Sequence, residues 1–386
     1  MSVRDRFLLS KVFSLTYFWI AVSVPYLLYR GLSIDQALGV IAFYGILISI
    51  LEYPTGVIGD YYGHRVSMIA GNLLYGISML VMAMPGGIPV YVLASILLAL
   101  GGSLISGSDE AFLKTISNDF KHDIARLSSL EDFVLMVVAV TGGILASFSM
   151  TLPVVLTGMF GFAAVAVLLT IQHDATVRDH KQHEGNIFTT ARAGLRKVRH
   201  DRVLLGLIVS FSAFGAVAQA VKSLFGSFSD VFALPVEYIG VLVGAGMLLR
   251  ALAKRNAARF DHVPDFMLLA LMVAGLALAA SGSIATAVLG LLVFNSFFGV
   301  IAIRSKVRIH DGVEDSIRAS VLSFNSLVSR FVHSGVLSGM GFMIAASSFS
   351  QLMMYLSVLI AVASILFISV KIPTARRVTS VTGYPR

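Results

Sequence analysis

Cysteine is absent from the 386-residue sequence, and charged residues are scarce at 13%, against about a quarter in soluble domains. Without cysteine the chain has no disulfide, no thiolate metal site and no cysteine nucleophile. With so few charges, 57% hydrophobic residues and a mean hydropathy of +0.86, it has more apolar surface than a water-soluble fold could bury. We therefore expect the lipid bilayer to be the solvent of this protein and its main partner.

Motifs of enzymes are lacking as well. The sequence has no G-x-x-x-x-G-K-[ST] loop for ATP, no H-E-x-x-H pair, no G-x-S-x-G turn and no histidine cluster with metal-ligand spacing. Asp109, Glu110, Glu131 and Asp132 are predicted to crowd one membrane edge, which is typical of a gate rather than of an intramembrane hydrolase. We therefore expect no enzymatic activity, no cofactor and no metal.

Apolar stretches of about 20 residues, the length that crosses a bilayer as a helix, recur along the whole chain. Lys11 interrupts the first one and the next begins almost at once, so the first is predicted to be retained rather than cleaved as a signal peptide. The sequence therefore predicts an all-α integral membrane protein with twelve transmembrane helices. The predicted spans are 8–29, 34–57, 66–84, 88–108, 129–149, 153–172, 203–225, 236–253, 265–281, 284–303, 319–341 and 348–370.

The longest polar break divides these spans into six and six. Residues 1–172 are predicted to form an N-terminal half, 173–202 a cytoplasmic linker, and 203–386 a C-terminal half. The linker is rich in Lys and Arg, and its residues 186–198 are predicted to form an amphipathic helix on anionic lipid.

Basic residues are distributed unevenly between the two sides of the predicted bundle. Of the 29 Lys and Arg, Arg30 alone is assigned to a loop opposite the termini, and Lys11, Lys222 and Arg330 are assigned to spans. Arg250 is counted with the connection after the eighth span. This bias follows the positive-inside tendency, so both termini are predicted to be cytoplasmic. Since topology accounts for the basic charge, nucleic acid is not expected as a partner.

The connection between the second and third spans has the pattern G-x-x-x-D-x-x-G-[basic]-R, from Gly56 to Arg65. It resembles the characteristic loop of the major facilitator superfamily of transporters. Gly56 and Gly63 are suited to close helix approach and a tight turn, and Asp60 is suited to pair with Arg65 or with amides at a helix start. The resemblance implies that Asp60 and Arg65 control closure on the cytoplasmic side.

A degraded copy of this pattern follows the eighth span, with the same spacing. Its residues are Gly246, Arg250, Lys254 and Arg255, in the places of Gly56, Asp60, His64 and Arg65. Because Arg250 replaces the acid and Ala253 the second glycine, the second closing contact is expected to be weak or absent. The resemblance implies two pseudo-symmetric six-helix halves, with the substrate bound between them near the midplane.

The stretch 106–111, Ser-Gly-Ser-Asp-Glu-Ala, resembles the end of the fourth helix in many exporters of this family, which implies an exporter-like branch. Its carboxylates, Asp109 and Glu110, are predicted to pair with Arg65 at the cytoplasmic edge. The fifth span lacks the glycine-proline pattern of drug/proton antiporters in this family, so antiport is not demonstrated.

Ionisable side chains within a span are unfavourable by about 2.5–3.5 kcal/mol and usually face the interior of the bundle. Arg330 lies halfway along the eleventh span, on one polar face with Ser326, His333 and Ser334. It either binds an anionic group of the substrate or pairs with an acid of another helix. Glu52 in the second span is either a proton-coupling carboxylate or half of a fixed ion pair.

Lys11 and Lys222 are expected near the ends of their spans, where their ammonium groups reach the interface. Together with Arg330 they outnumber Glu52, which favours a substrate with negative charge. The candidate substrate-binding residues are Arg330, His333, Ser326, Ser334, Asn295, Lys11 and Tyr17. The candidate proton-coupling or gate residues are Glu52, Asp109, Glu110, Asp60 and Arg65.

The leading hypothesis is a monomeric secondary transporter in a bacterial inner membrane that exports a small organic molecule in exchange for protons. One alternative keeps the fold and reverses the direction, as an importer or symporter of an anionic metabolite. Another is a transport-inactive receptor or scaffold with the same fold.

Overall fold

The structure is a computed structural model that describes residues 1–117, 119–171, 196, 198–311, 315–346 and 348–369. In this part of the chain every regular element is a helix. The predicted all-α class is therefore confirmed. The predicted linker lies almost entirely outside the described residues, as does most of its predicted amphipathic helix.

The helices follow one another along both halves of the chain with short connections. In the first half they are α1 (Val3–Ser14), α2 (Ser23–Tyr29), α3 (Ile34–Tyr62), α4 (His64–Ala83), α5 (Ile88–Ile105), α6 (Ser108–Ile116), α7 (Phe120–Phe148) and α8 (Leu152–Leu169). In the second half they are α9 (Arg202–Val231), α10 (Val236–Arg255), α11 (Asp265–Ala279), α12 (Ile284–Asp311), α13 (Asp315–Ala346) and α14 (Phe349–Ser369).

Nine helical segments of the described residues are long and apolar enough to cross a membrane, and α1 with α2 makes a tenth if the pair counts as one span. α11 is shorter, with 15 residues, and α13 extends over 32. Each of the twelve predicted spans therefore coincides with a helix or a helix pair. The count of twelve crossings itself stays a prediction.

The first predicted span is not a single helix. The segment Val3–Ile20, which contains α1 and ends in a 3-10 turn at Phe18–Ile20, is bent by 51° against α2. Pro25 lies in the first turn of α2, where its missing N–H disturbs no helical hydrogen bond. The Phe18 carbonyl also packs so closely on Gly142 of α7 that any side chain at that glycine would collide with it. The prediction of one helix over 8–29 is wrong because this packing involves a helix distant in sequence.

The halves of the chain meet closely at one end of the bundle. The end that carries Val3 and the turn at Gly63 is termed the terminal end, and the opposite one the distal end. Toward the distal end, Gly143 of α7 and Gly240 of α10 are in backbone contact. A Cβ on Gly240 would lie 2.8 Å from the Gly143 Cα and 2.6 Å from the Ala139 carbonyl oxygen. Small residues permit such close approach between membrane helices.

Two further distal contacts join the halves. A Cβ on Gly226 of α9 would lie 3.0 Å from the Val24 Cβ of α2, and one on Gly341 of α13 would lie 3.1 Å from the Asp35 Cα of α3. The largest apolar cluster combines many second-half side chains with buried first-half residues from the distal parts of their helices. These are Ala21, Val22, Val24, Leu38, Ala42, Ala139 and Ala146. The halves therefore share a core there.

The terminal end has a different organisation. A separate cluster of buried apolar residues is drawn from the first half alone: Phe7, Met68, Phe112, Leu113, Leu127, Leu168 and Ile171. α1 packs on α6, α7 and α8 of its own half, whereas α2 packs on α9. The first half thus has a core of its own at the terminal end and another at the distal end around Tyr26, Met82 and Tyr91, and the shared cluster joins it to the second half on the distal side.

The connection from α3 to α4 is a single residue, Gly63, with φ of +93°. That backbone conformation favours glycine, so the predicted tight turn is confirmed. The predicted close approach at Gly56 is wrong, because a Cβ there would have no atom within 4 Å. Gly59 makes the close approach instead, with a Cβ position 2.9 Å from the Ser108 Oγ.

Candidate functional site

An ion pair joins the halves between α3 and α13. Arg330 Nη2 donates to Glu52 Oε1 at 3.0 Å, and the Ser106 hydroxyl donates to the same oxygen at 2.7 Å. Both charged side chains are 32% exposed, so water reaches the pair. Of the two alternatives for each residue, the structure therefore contains the ion pair.

The polar face of α13 is partly a helix–helix contact. Ser334 is 1% exposed, and its Oγ lies 2.7 Å from the position of a Cβ on Gly45 of α3. His333 is half-buried beside it. The Ser326 side chain lies outside the described part of the structure. Ser334, a predicted substrate residue, is thus enclosed between α3 and α13, the same two helices that the Glu52–Arg330 pair joins.

Lys11 is held by two carboxylates inside the first half. Its ammonium lies 2.5 Å from Asp109 Oδ2 and 3.2 Å from Glu131 Oε1, and the Lys11 side chain is 6% exposed. The expectation that Lys11 reaches the membrane interface is therefore wrong. Its charge is compensated within the protein, because an unpaired ammonium would be strongly unfavourable at this depth.

The predicted pairing of Asp109 with Arg65 is also wrong. Arg65 donates to the carbonyl oxygens of Leu168 and Leu169 at the end of α8, at 3.0 and 3.1 Å. Carbonyls in the last turn of a helix lack the amides that would follow them in a longer helix, and here the Leu168 carbonyl accepts from the Ile171 N–H at 3.2 Å as well. A guanidinium is a suitable cap for such a helix end. Glu110 is exposed and its amide donates to Asp109 Oδ1. The Asp60 side chain lies outside the described part of the structure.

Tyrosine side chains lie between these two charged groups. The ring of Tyr17 is tilted against that of Tyr75, with centroids 5.8 Å apart. Tyr17 interacts electrostatically with Lys11 and Tyr44, and Tyr44 interacts with Arg330 and Glu52. Tyr17 and Tyr44 therefore connect the Lys11 cluster with the Glu52–Arg330 pair through electrostatic interactions.

The second half has its own contact at the terminal end. Asp265 at the start of α11 binds Arg304 and Arg308 of α12, and Arg304 also donates to the carbonyls of Phe260 and Val263. The degraded motif suggested a weak contact here. The acid comes instead from Asp265, which lies beyond the motif.

A cavity of about 190 Å³ lies between the halves. Its lining residues from the first half are Ile20, Asp132 and Leu135, and those from the second half are Gln219, Phe225, Val243, Gly246, Met247, Arg250, Lys254 and Asn295. Within the described residues, no group of three His, Asp or Glu has the arrangement of a metal site. The cavity thus offers apolar walls with a few polar and charged groups.

Arg250 is the residue of this cavity that the sequence analysis assigned to the wrong place. α10 continues to Arg255, so Arg250 lies inside a membrane-crossing helix rather than in a connection. Its Nη2 donates to Asn295 Oδ1 at 2.5 Å, and its guanidinium carbon lies 5.3 Å from the ring centroid of Phe298. Arg250 and Lys254, four residues apart, share one helix face, a spacing that would have placed both toward one site.

Two helical halves around a polar interior, with a shared core at one end, define a polytopic membrane transporter. Residues 7–334 match the sequence pattern of the Major Facilitator Superfamily, and the chain belongs to this family. Its members are secondary transporters and not enzymes. Comparison with curated protein sequences gives no match.

Solved transporter structures have the same fold. A point mutant of the nucleoside transporter NupG superposes with a TM-score of 0.80 at 12% identity, over 96% of this chain and 100% of that one. The xylose transporter XylE from E. coli, in an inward open conformation, gives 0.75 at 13% identity, over 97% of both chains. A D-xylose-proton symporter gives 0.73 at 14%, over 97% of this chain and 98% of that one. At these identities the likeness shows the fold alone.

Proposed function

We propose that the protein is a proton-coupled secondary transporter that moves a small organic molecule between its two halves by alternating access. The Glu52–Arg330 pair is the observation that carries this proposal. Its carboxylate belongs to one half and its guanidinium to the other, and its 32% exposure gives protons access from water. A titratable group in a contact between moving bodies links proton binding to their movement.

The linkage follows from what protonation removes. A neutral Glu52 would leave Arg330 without its counterion and weaken the packing of α3 on α13. A hydrogen bond to a charged group contributes about 1.5–3 kcal/mol, toward the lower end where water screens it. A coupling of about 1–3 kcal/mol shifts a two-state equilibrium by roughly 5- to 150-fold. Proton binding at this one carboxylate is thus sufficient to bias which end of the bundle is closed.

The sidedness rests on the distribution of basic residues. With both termini cytoplasmic, the terminal end faces the cytoplasm, and the shared distal core closes the outer side. The structure then corresponds to an inward-facing state, which the likeness to inward open XylE supports. We place the protein in a bacterial inner membrane as a monomer, since the pathway lies within one chain.

Efflux in exchange for protons is the direction that the exporter-like stretch 106–111 favours. Import of an anionic metabolite is the second candidate. Arg250 in the cavity favours it, because among the described residues this guanidinium has no direct ion pair, and Asp132 alone acts on its charge across the cavity while Lys254 adds a second positive charge. The likeness to a D-xylose-proton symporter is compatible with symport.

Proteoliposomes that contain the pH dye pyranine test the coupling. A nucleoside, D-xylose and a monocarboxylate are added outside in turn, with protein-free liposomes correcting for passive entry of weak acids. Symport acidifies the interior as substrate enters, and antiport makes it alkaline, so the sign of the signal distinguishes the two candidates. Glu52→Gln is expected to abolish the proton signal while radiolabelled counterflow persists.

Asp261→Asn removes a carboxylate in the connection after α10 and should behave as the wild type. A transported compound that moves no protons, or a Glu52→Gln protein with an unchanged proton signal, would contradict the proposal. If no compound moves and ligands still bind, the receptor or scaffold alternative holds instead.

A further inference from the structure

The cations of the membrane-spanning part differ in how their charges are compensated. Lys11 contacts two carboxylates and Arg330 one. In the described part of the chain Arg250 forms no ion pair: its hydrogen bonds go to the Asn295 amide oxygen and, at 3.5 Å, to the Ala218 carbonyl. Its buried Nε has no hydrogen-bond acceptor among the described atoms. Asp132 acts electrostatically on the half-buried Arg250 but makes no ion pair with it. A cation that is compensated so incompletely between membrane helices is unfavourable, which points to an anion supplied from outside the protein.

The cavity around Arg250 has the features of a built binding site. Lys254 lies in the same wall, and Asp132 faces both from α7 of the other half. These three side chains leave one net positive charge. The amides of Gln219 and Asn295 supply further hydrogen-bonding groups. A ligand with a single negative charge would balance this set, whereas a doubly charged phosphate would not.

The size and walls of the cavity restrict the rest of the ligand. Ile20, Leu135, Phe225, Val243 and Met247 make much of the lining apolar. The volume of about 190 Å³ compares with about 150 Å³ for an engineered cavity that binds benzene. The cavity is therefore large enough for one ring, or a branched chain of similar size, and a carboxylate.

We propose that Arg250 binds the carboxylate of a small apolar monocarboxylate, and that this cavity, rather than the surroundings of Arg330, is the substrate site. Lys254 adds positive charge at the same wall, and the contribution of Asp132 and Ile20 by the first half makes the site depend on both halves. This inference rests on the proposed transport function and names its substrate class.

Binding is measured without any gradient, on the whole protein in phosphatidylcholine nanodiscs. The chain has one tryptophan, Trp19, next to Ile20 in the cavity wall, so its fluorescence reports ligand entry. Cyclohexanecarboxylate is the probe, and cyclohexylmethanol is an uncharged analogue of similar size and shape. We expect saturable binding of the acid and at least about tenfold weaker binding of the alcohol, because the charged hydrogen bond is lost.

Two substitutions locate the site. Arg250→Gln should weaken binding of the acid at least about tenfold, and Arg250→Lys should restore part of it, while Arg259→Gln, an exposed arginine, is the matched control. Gly246→Val covers the case in which Arg250→Gln does not fold, since a Cβ on Gly246 meets nothing closer than 3.7 Å. Its added methyl groups enter the cavity and should weaken the binding of cyclohexanecarboxylate, whereas the smaller propionate should still bind.

Equal affinity for acid and alcohol would overturn the assignment, as would unchanged binding to folded Arg250→Gln and Gly246→Val proteins. Loss of binding in Arg330→Gln with full binding in Arg250→Gln would move the site to α13. Arg250-dependent binding with no proton-coupled flux would refute the transport proposal alone. Proton-coupled flux with Arg250-independent binding would refute this assignment alone.

Discussion

The contact between Gly143 and Gly240 provides a direct test of which contacts keep the distal end closed. In Gly240→Ala, the added Cβ would lie 2.6 Å from the Ala139 carbonyl oxygen and 2.8 Å from the Gly143 Cα. Ordinary contact begins near 3.4 Å, so α7 and α10 must separate by close to 1 Å. Both partners are backbone atoms, which cannot rotate out of the way as a side chain could.

The size of the effect follows from the packing. An extra methyl group in a closely packed contact is unfavourable by about 1–3 kcal/mol. Since α7 and α10 belong to different halves, this penalty falls on the distally closed state and is relieved when the halves move apart there. A difference of about 1–3 kcal/mol corresponds to a roughly 5- to 150-fold change in the ratio of the two states.

A single introduced cysteine measures this change, because the natural chain has none. Val24→Cys places it in α2 against Gly226, where the native side chain is 1% exposed. We expect a membrane-impermeant maleimide to label it roughly 5- to 150-fold faster in the Gly240→Ala background. Gly39→Ala is the matched control, since a Cβ there has no atom within 4 Å. Unchanged labelling in a folded Gly240→Ala protein, or equal acceleration by Gly39→Ala, would refute the reasoning.

Three further substitutions test contacts within one half, each by thermal unfolding in detergent. Lys11→Met should lower stability by about 3–5 kcal/mol by leaving two acids unpaired, and adding Asp109→Asn should recover part of it. Arg304→Gln should lower stability by about 1.5–3 kcal/mol and speed trypsin cleavage at Arg259, since it releases the turn before α11. Gly290→Ala should lower stability, because its Cβ would collide with backbone of the same half, yet leave cysteine labelling unchanged; faster labelling would contradict this.

The helices were largely predictable from the sequence. Apolar stretches of bilayer length indicate helices directly, because every backbone group in lipid must be satisfied within its own segment. The turn at Gly63 was predictable as well, because a tight turn between two helices favours glycine, and this residue has a positive φ in the structure. The bend near Phe18 was not predictable, because it depends on packing against Gly142, which is distant in sequence.

The charge partners of Lys11 were not predicted, because its ammonium was expected at the membrane interface. Asp109, Glu110 and Glu131 were predicted at one membrane edge, but not as partners of Lys11. The choice among them depends on how α6 and α7 sit against α1, which spacing along the chain does not contain. Arg250 was misplaced for another reason: it lies within the predicted span 236–253, but as part of the degraded loop motif it was counted with the connection, although α10 continues to Arg255.

Two kinds of contact between the halves suggest how pH should act on the structure. The distal contact between Gly143 and Gly240 involves only backbone and has no group that binds a proton. The contact between Glu52 and Arg330 has one, the Glu52 carboxylate. Lower pH should therefore speed labelling of Val24→Cys in the otherwise native chain, relative to a Glu52→Gln chain at the same pH, until the two rates converge. Dividing the rates at each pH removes the pH dependence of the maleimide reaction itself.

Gly240→Ala should multiply both rates by the same factor at every pH, because independent contacts contribute additively to one equilibrium. If that factor changes with pH, the glycine contact and the ion pair are not independent, and the link between proton binding and distal opening involves more than Glu52. If the ratio of the labelling rates of the native and Glu52→Gln chains stays constant across pH, Glu52 does not link protonation to opening. Another acid in the pathway must then provide the link.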